Sequence, residues 1–175
     1  DLDGDKKSDL YVGFQGSDDC VYYTSIAEVG QLFGNAIIIG GKMGTTNSVK
    51  IADFNLDGYN DIIRLIRASS LQVIFNSGTE NPLSSVVNYE TLPIPGGESI
   101  DLGDLDADGD LDVVVATNFQ NNDRIYLNNE TNGLHNLTLE WQSYNVTSHN
   151  SIKVSDIDGD GDLDFSFGGF DTEQI

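Results

Sequence analysis

Carboxylates on alternate residues are the arrangement that holds a hard divalent cation, and this chain presents it four times. The clearest copy is Asp104-Leu-Asp-Ala-Asp-Gly-Asp-Leu-Asp112, with acids at positions 1, 3, 5 and 9 of the segment and glycine at position 6. Near-copies begin at Asp1, Asp53 and Asp156. A calcium ion takes roughly six to eight oxygens at about 2.3–2.6 Å. In a tight loop the side chains at positions 1, 3 and 5 point inward together, the carbonyl of position 7 adds an oxygen, and position 9 closes the site. The expected side-chain ligands are Asp1, Asp3, Asp5 and Asp9 in loop one, and Asp53, Asn55, Asp57 and Asp61 in loop two. Loop three offers Asp104, Asp106, Asp108 and Asp112, and loop four Asp156, Asp158, Asp160 and Asp164. The position-7 carbonyls are those of Lys7, Tyr59, Asp110 and Asp162. Up to four Ca2+ ions are therefore expected.

Glycine at position 6 (Gly58, Gly109, Gly161) permits the sharp turn, whereas Lys6 in loop one weakens that site. The lack of His and Cys near the loops disfavours zinc, and the ligand number favours Ca2+ over Mg2+. An EF-hand opens the same way but needs a bidentate Glu at position 12 and flanking helices. Position 12 is Val12, Arg64, Val115 and Phe167, none of them a ligand, so the EF-hand and dockerin readings fail. A single acidic turn reads equally well as a solvated hairpin tip. Four in register read as cation sites, since carboxylates about 4 Å apart repel by about 4 kcal/mol per pair at an effective dielectric of 20.

The elements that must position these loops repeat with them. Ser48–Ala52, Ser99–Gly103 and Ser151–Ser155 each alternate apolar and polar residues and end in a small one, predicting a half-buried strand before the loop. Apolar runs at Leu10–Phe14, Ile62–Ile66, Val113–Ala116 and Phe165–Phe167 predict the strand after it, so each loop is a hairpin tip. Third strands are expected at Val21–Ile26, Leu71–Asn76 and Arg124–Asn128, and fourth strands at Ala36–Ile39, Val86–Leu92 and Leu137–Trp141. Helical periodicity is missing. Four strands in a period of about 52 residues is the signature of propeller blades, with a hairpin solenoid as the alternative.

The fold class expected is thus all-β, a single repeat domain over residues 1–175 with repeats 1–52, 53–103, 104–155 and a partial 156–175. About three and a half repeats do not close a propeller. The first blade lacks its innermost strand and the last its outer two, so flanking sequence or another subunit is expected to supply them. The chain reads as a mature piece or a fragment.

Composition bounds the partners. A net charge of −21, with only 8 Lys and Arg, argues against nucleic acid and anionic membranes. About half of the 29 acids sit in the four loops, which separates this chain from evenly acidic disordered ones. There is no apolar run of about 18 residues, hence no expected membrane span. Cys20 is the single cysteine, so no disulfide forms within the chain.

The motif Asp-x-[Asp/Asn]-x-Asp-Gly-x-x-Asp followed by apolar residues, at 53–63, 104–114 and 156–165 and with Lys6 at 1–10, resembles the FG-GAP/VCBS calcium-binding β-propeller repeats of integrin α-subunit heads and many secreted proteins. Arg124-Ile-Tyr-Leu-Asn-Asn129 is similar to the strand that follows the loop in VCBS-type repeats. The resemblance covers nearly the whole chain. It implies loops on one propeller face, mainly structural calcium and an extracellular setting. Only Phe33-Gly34 matches the Phe-Gly of the family name, no Gly-Ala-Pro occurs, and nothing matches the metal-dependent ligand site of the integrin inserted domain.

Three sequons, at Asn129, Asn136 and Asn145, lie within a short outer stretch of one repeat and predict glycans in a eukaryotic source. His135 and His149 lie far from any nucleophile context. Trp141 and Tyr22-Tyr23 are expected to pack between blades rather than to stack on sugar, and Cys20 to be a half-buried free thiol or an intermolecular link. The functional expectation is a non-catalytic, calcium-stabilised extracellular glycoprotein segment for adhesion or structural assembly. Its partner would be a protein, a glycan or a second copy joined head to tail into a filament. The rivals are an accessory or catalytic propeller of a carbohydrate-active enzyme, such as a polysaccharide lyase, and a lectin module.

Overall fold

The computed structural model describes residues 1–28, 31–40, 44–78, 89–118, 121–129, 137–144 and 148–169. Every described element is a strand, and no helix is long and apolar enough to cross a membrane. Strands β1 (Leu10–Val12), β2 (Asp19–Glu28) and β3 (Gln31–Ile39) form the first sheet. The second contains β4 (Thr46–Ala52), β5 (Asp61–Ile66), β6 (Ser70–Ile74) and β7 (Tyr89–Pro93). The third contains β8 (Gly97–Gly103), β9 (Asp112–Thr117), β10 (Arg124–Asn128) and β11 (Leu137–Gln142). A fourth pairs β12 (His149–Ser155) with β13 (Asp164–Gly169). All pairings are antiparallel between chain neighbours, and loops two, three and four join β4 to β5, β8 to β9 and β12 to β13.

The repeats are therefore four-stranded propeller-type blades, with three strands described in the first sheet and two in the last, and the sheets do not close into a ring. The third strand of repeat three coincides with its expected span. The strand expected from Ala36 begins at Gln31 instead, because Gly34 and Asn35 interrupt an apolar alternation that the hairpin with β2 carries through irregular register. Residues 86–88, where the fourth strand of repeat two was expected to start, lie outside the described residues.

Alternation sorts the core into three layers. From β5, Ile62 faces the first sheet, with Leu2, Val21, Ile39 and Ile74. Ile63 and Leu65 face the third sheet, with Leu71, Val73, Ile100, Val113 and Val115. Val114 and Ala116 turn the other way, onto Ile125, Ile152 and Val154. A strand flanked on both faces must be apolar on both, which is why β9 reads as an unbroken run and every residue of it is buried. Burying a Val or Ile side chain contributes about 1.5–3 kcal/mol.

Polar ties cross the same layers. Arg64 on β5 is fully buried, as is Asp19 on β2, and the pair meets at 3.1 Å. Arg64 also donates to Gln72 Oε1 at 2.9 Å and to the Gly40 carbonyl at 2.8 Å, while Asp19 accepts from Phe14 N–H at 2.8 Å and Thr46 Oγ1 at 2.6 Å. With its neighbours supplying bonds, the buried ion pair fixes how the first two sheets align. A second tie uses the residue three places before each loop. Asp101 on β8 sits between Lys50 of β4 (2.7 Å) and Lys153 of β12 (2.9 Å), and also accepts Val154 N–H at 2.8 Å. Burial pushes the Asp101 carboxyl upward, but the two ammonium groups and the amide outweigh it and hold the group at about 2.

Candidate metal centre

The four loops share one internal hydrogen-bond scheme. The position-1 carboxylate accepts the N–H of position 6: Lys6 on Asp1 (3.0 Å), Gly58 on Asp53 (2.8 Å), Gly109 on Asp104 (3.1 Å) and Gly161 on Asp156 (3.1 Å). Position 3 accepts the N–H of position 5, from Asp3, Asn55, Asp106 and Asp158, at 3.1, 3.2, 3.3 and 3.2 Å. Position 5 accepts the N–H of position 7, so Lys7, Tyr59, Asp110 and Asp162 bond Asp5, Asp57, Asp108 and Asp160 at 2.9, 2.9, 3.1 and 2.9 Å. These side-chain caps fold the loop and aim its carboxylates toward one point. Asp1, Asp3 and Asp5 are grouped, as are Asp104, Asp106 and Asp108, each set offering oxygens within 4.8 Å of one another. In loop four the grouped acids are Asp156, Asp158 and Asp164. Loop two has the amide Asn55 at position 3, whose nitrogen bonds Asp57 at 3.1 Å.

Position 9 carries a second task. Asp9, Asp61, Asp112 and Asp164 accept the N–H of position 2 (Leu2, Phe54, Leu105, Ile157) at 2.6, 3.1, 2.7 and 3.0 Å. In the first three the other oxygen takes an N–H from the third strand or just past it: Thr24 within β2 (2.9 Å), Asn76 two residues after β6 (2.8 Å) and Asn128 at the end of β10 (2.9 Å). This carboxylate latches the loop to its own sheet. Each of its oxygens has a second lone pair, so ligation is still open to it. Burial pushes Asp61 up to about 6, against the pull of its two amide donors, and raises Asp112 the same way.

Two loop features were missed in the sequence. Position 2 is apolar in all four copies, and Leu2, Phe54 and Leu105 each pack into the layer against the next sheet. Position 4 is left-handed throughout: Gly4 (φ 79°), Leu56 (57°), Ala107 (60°) and Gly159 (81°). Leu and Ala carry no sequence signal for this conformation, which L residues adopt at a cost. Lys6 is left-handed too, at φ 66°. The small residue before each loop has a reason as well: a Cβ on Gly103 would meet Val154 and Leu163 of the next sheet at 2.8 Å.

The donor set fits a hard cation. It is all oxygen, carries three or four acids per loop, and includes one group that calls for a counter-charge. Asp110 at position 7 of loop three is buried, and its Oδ1 has no hydrogen-bond partner. Burial and then the adjacent Asp108 push it up to about 6. A Ca2+ ion held by such loops would supply charge compensation and cross-link loop to sheet.

The remaining candidates fall apart from the loops. Asn129 is exposed and its amide donates to Thr138 at 2.9 Å; Asn136, Asn145 and His135 lie outside the described residues. His149 bonds Asp123 at 2.5 Å and stacks on Phe167 at 5.0 Å. Trp141 packs the third sheet on the fourth, 5.8 Å from Phe165 and 6.5 Å from Phe167. Tyr22 lies 6.3 Å from Phe33, and Cys20 is buried as a free thiol.

No curated protein and no solved structure matches the chain. The model of the FG-GAP-like repeat matches three times, over residues 1–64, 53–115 and 104–166. Each match starts on the first acid of a loop and runs through the next hairpin, so the matched unit is the loop-to-loop repeat built above. The chain belongs to the FG-GAP-like repeat family.

Proposed function

We propose that this chain is a calcium-stabilised, non-catalytic β-propeller-type segment of an extracellular glycoprotein, serving adhesion or structural assembly. The observation that carries the reading is the common acceptor scheme of the four loops, which gathers carboxylates that, in three of them, pair with no basic side chain among the described residues. Ions at ten times their dissociation constant stabilise a fold by about 1.4 kcal/mol per site, so about 5–6 kcal/mol for four. Five of the eight basic side chains, Lys7, Lys50, Arg64, Arg67 and Lys153, are each engaged by an acid, which supports a non-catalytic role. The partner in such an assembly would be a second copy of the chain, joined by strand addition.

Thermal unfolding with and without excess EGTA tests the reading. The melting temperature is expected to fall by roughly 10–20 °C on chelation, at about 2–4 °C per kcal/mol for a chain of this size. An unchanged melt would sink it. Size-exclusion chromatography in calcium tests the assembly, and a stable monomer counts against it. Intact mass before and after deglycosylation tests the glycans.

A further inference from the structure

We propose that the outward face of the first sheet is a docking surface for a second copy of this chain, packed face to face about a twofold axis. This goes beyond the assembly reading above, which joins copies at strand edges, and it does not depend on calcium. Register sorts the residues of that sheet. Tyr11, Val21 and Ile37 are paired across β1, β2 and β3 and pack into the layer against the second sheet. Their neighbours along each strand point the other way. One outward row is Leu10, Tyr22 and Ala36, and the next is Val12, Cys20 and Ile38. None of the six carries a charge, and none belongs to any of the three core layers. Leu10 is 42% exposed and Ile38 57%. At the place of Leu10, the first residue after position 9, repeats two and three carry Ile62 and Val113, both fully buried in the layer against the preceding sheet. The first sheet thus presents to water the face that its counterparts bury.

The fourth sheet does not offer the complement. Ile152 and Val154 pack toward the third sheet, so its outward pairs are Ser151 with Gly168, Lys153 with Ser166 and Ser155 with Asp164. Head-to-tail stacking of faces would set that polar surface on Leu10 and Ile38 and desolvate Lys153 and Asp164 at a cost. A second copy of the first sheet matches instead, since apolar meets apolar and the twofold axis makes every contact twice. Copies of a chain with net charge −21 repel one another, and a contact through an uncharged face keeps carboxylates out of it. Six residues, each occupying about 4.8 Å by 6.8 Å of sheet, give a contact core of roughly 200 Å2 per copy, against roughly 800 Å2 per partner in a standard complex. The dimer is therefore weak and concentration-dependent.

Sedimentation equilibrium of the whole chain in calcium, from about 10 μM to about 1 mM, tests this. The wild-type mass should rise toward that of a dimer and no further, with association several-fold tighter in about 0.5 M than in about 0.05 M NaCl as the repulsion is screened. Ile38→Lys sets like charges against each other across the axis and should weaken dimerisation at least about tenfold. Leu10→Lys should act in the same direction, and far-UV circular dichroism checks that both variants are folded. Ser166→Lys, on the outward face of the fourth sheet, should leave dimerisation unchanged. A wild-type chain that stays monomeric throughout the range overturns the proposal, as does a mass that climbs past the dimer. Equal weakening by Ile38→Lys and Ser166→Lys means head-to-tail stacking and overturns it as well. Association that neither Ile38→Lys nor Leu10→Lys disturbs leaves assembly to strand edges, so the reading above survives and this one fails.

Discussion

Loop three and loop four are near-identical in sequence and in internal hydrogen bonds, yet the sheets that carry them are very different places. Phe54 and Leu105, at position 2 of loops two and three, pack into layers between sheets, whereas Ile157 at the same position of loop four is 61% exposed. All of β9 is buried, while its counterpart β13 is exposed at four of six positions. The internal bonds of the loop are made among its own nine residues, no more than seven apart, and only the position-9 latch of loop three reaches further, to Asn128. Burial of the strands is made by the neighbouring sheet. Repeat proteins divide their stability this way, into an intrinsic part per repeat and an interface part per neighbour.

The sharpest way to break that comparison is at position 2. Phe54→Ala should cost about 3–5 kcal/mol, read as a lower denaturant midpoint, while Ile157→Ala should stay within about 0.5 kcal/mol. Equal costs would mean that the layers contribute little. The buried tie between the first two sheets comes next. Asp19→Ala leaves Arg64 without its anion and should cost about 3–5 kcal/mol, whereas the double change Asp19→Ala with Arg64→Leu should recover part of it. A double-mutant cycle showing no coupling would remove this tie from the account.

Acid titration sharpens the interface term further. The folded Asp101 carboxyl, at about 2, lies below the ordinary carboxylate value of 3.8, so its stabilisation is full above pH 4 and is lost as pH falls toward 2. Its size is about 2 kcal/mol. Unfolding measured across that window should be less steep in Asp101→Asn, and the difference should vanish at the acid end. The smallest effect belongs to the loop itself. Ala107→Gly relieves a left-handed alanine and should raise stability by about 1 kcal/mol, while Gly159→Ala in loop four should lower it by a similar amount.

Much of the site was legible because its logic is local. Acids at positions 1, 3 and 5 bond amides two or five residues away, so spacing alone places them, and the alternating strand before each loop follows from the same short-range pattern. The position-9 latch was half legible: its spacing was plain, but its bond to Asn76 or Asn128 reaches the end of the neighbouring strand, fifteen or sixteen residues on. Left-handed Leu56 and Ala107 were invisible, because a loop closed by its carboxylates imposes that conformation on whatever residue stands there.

The sequence by itself determined the repeat, its strand order and the convergence of carboxylates, since each arises from interactions within one hairpin. Only the tertiary structure decided which sides of β5 and β9 meet which sheet, and that Arg64 finds Asp19. It also decided that Lys50 and Lys153 close on Asp101, and that Asp110 is buried where Asp162 is not. Those outcomes depend on what the next sheet brings within a few ångströms, and a charge or an apolar residue has the same letter whether that neighbour is there or not.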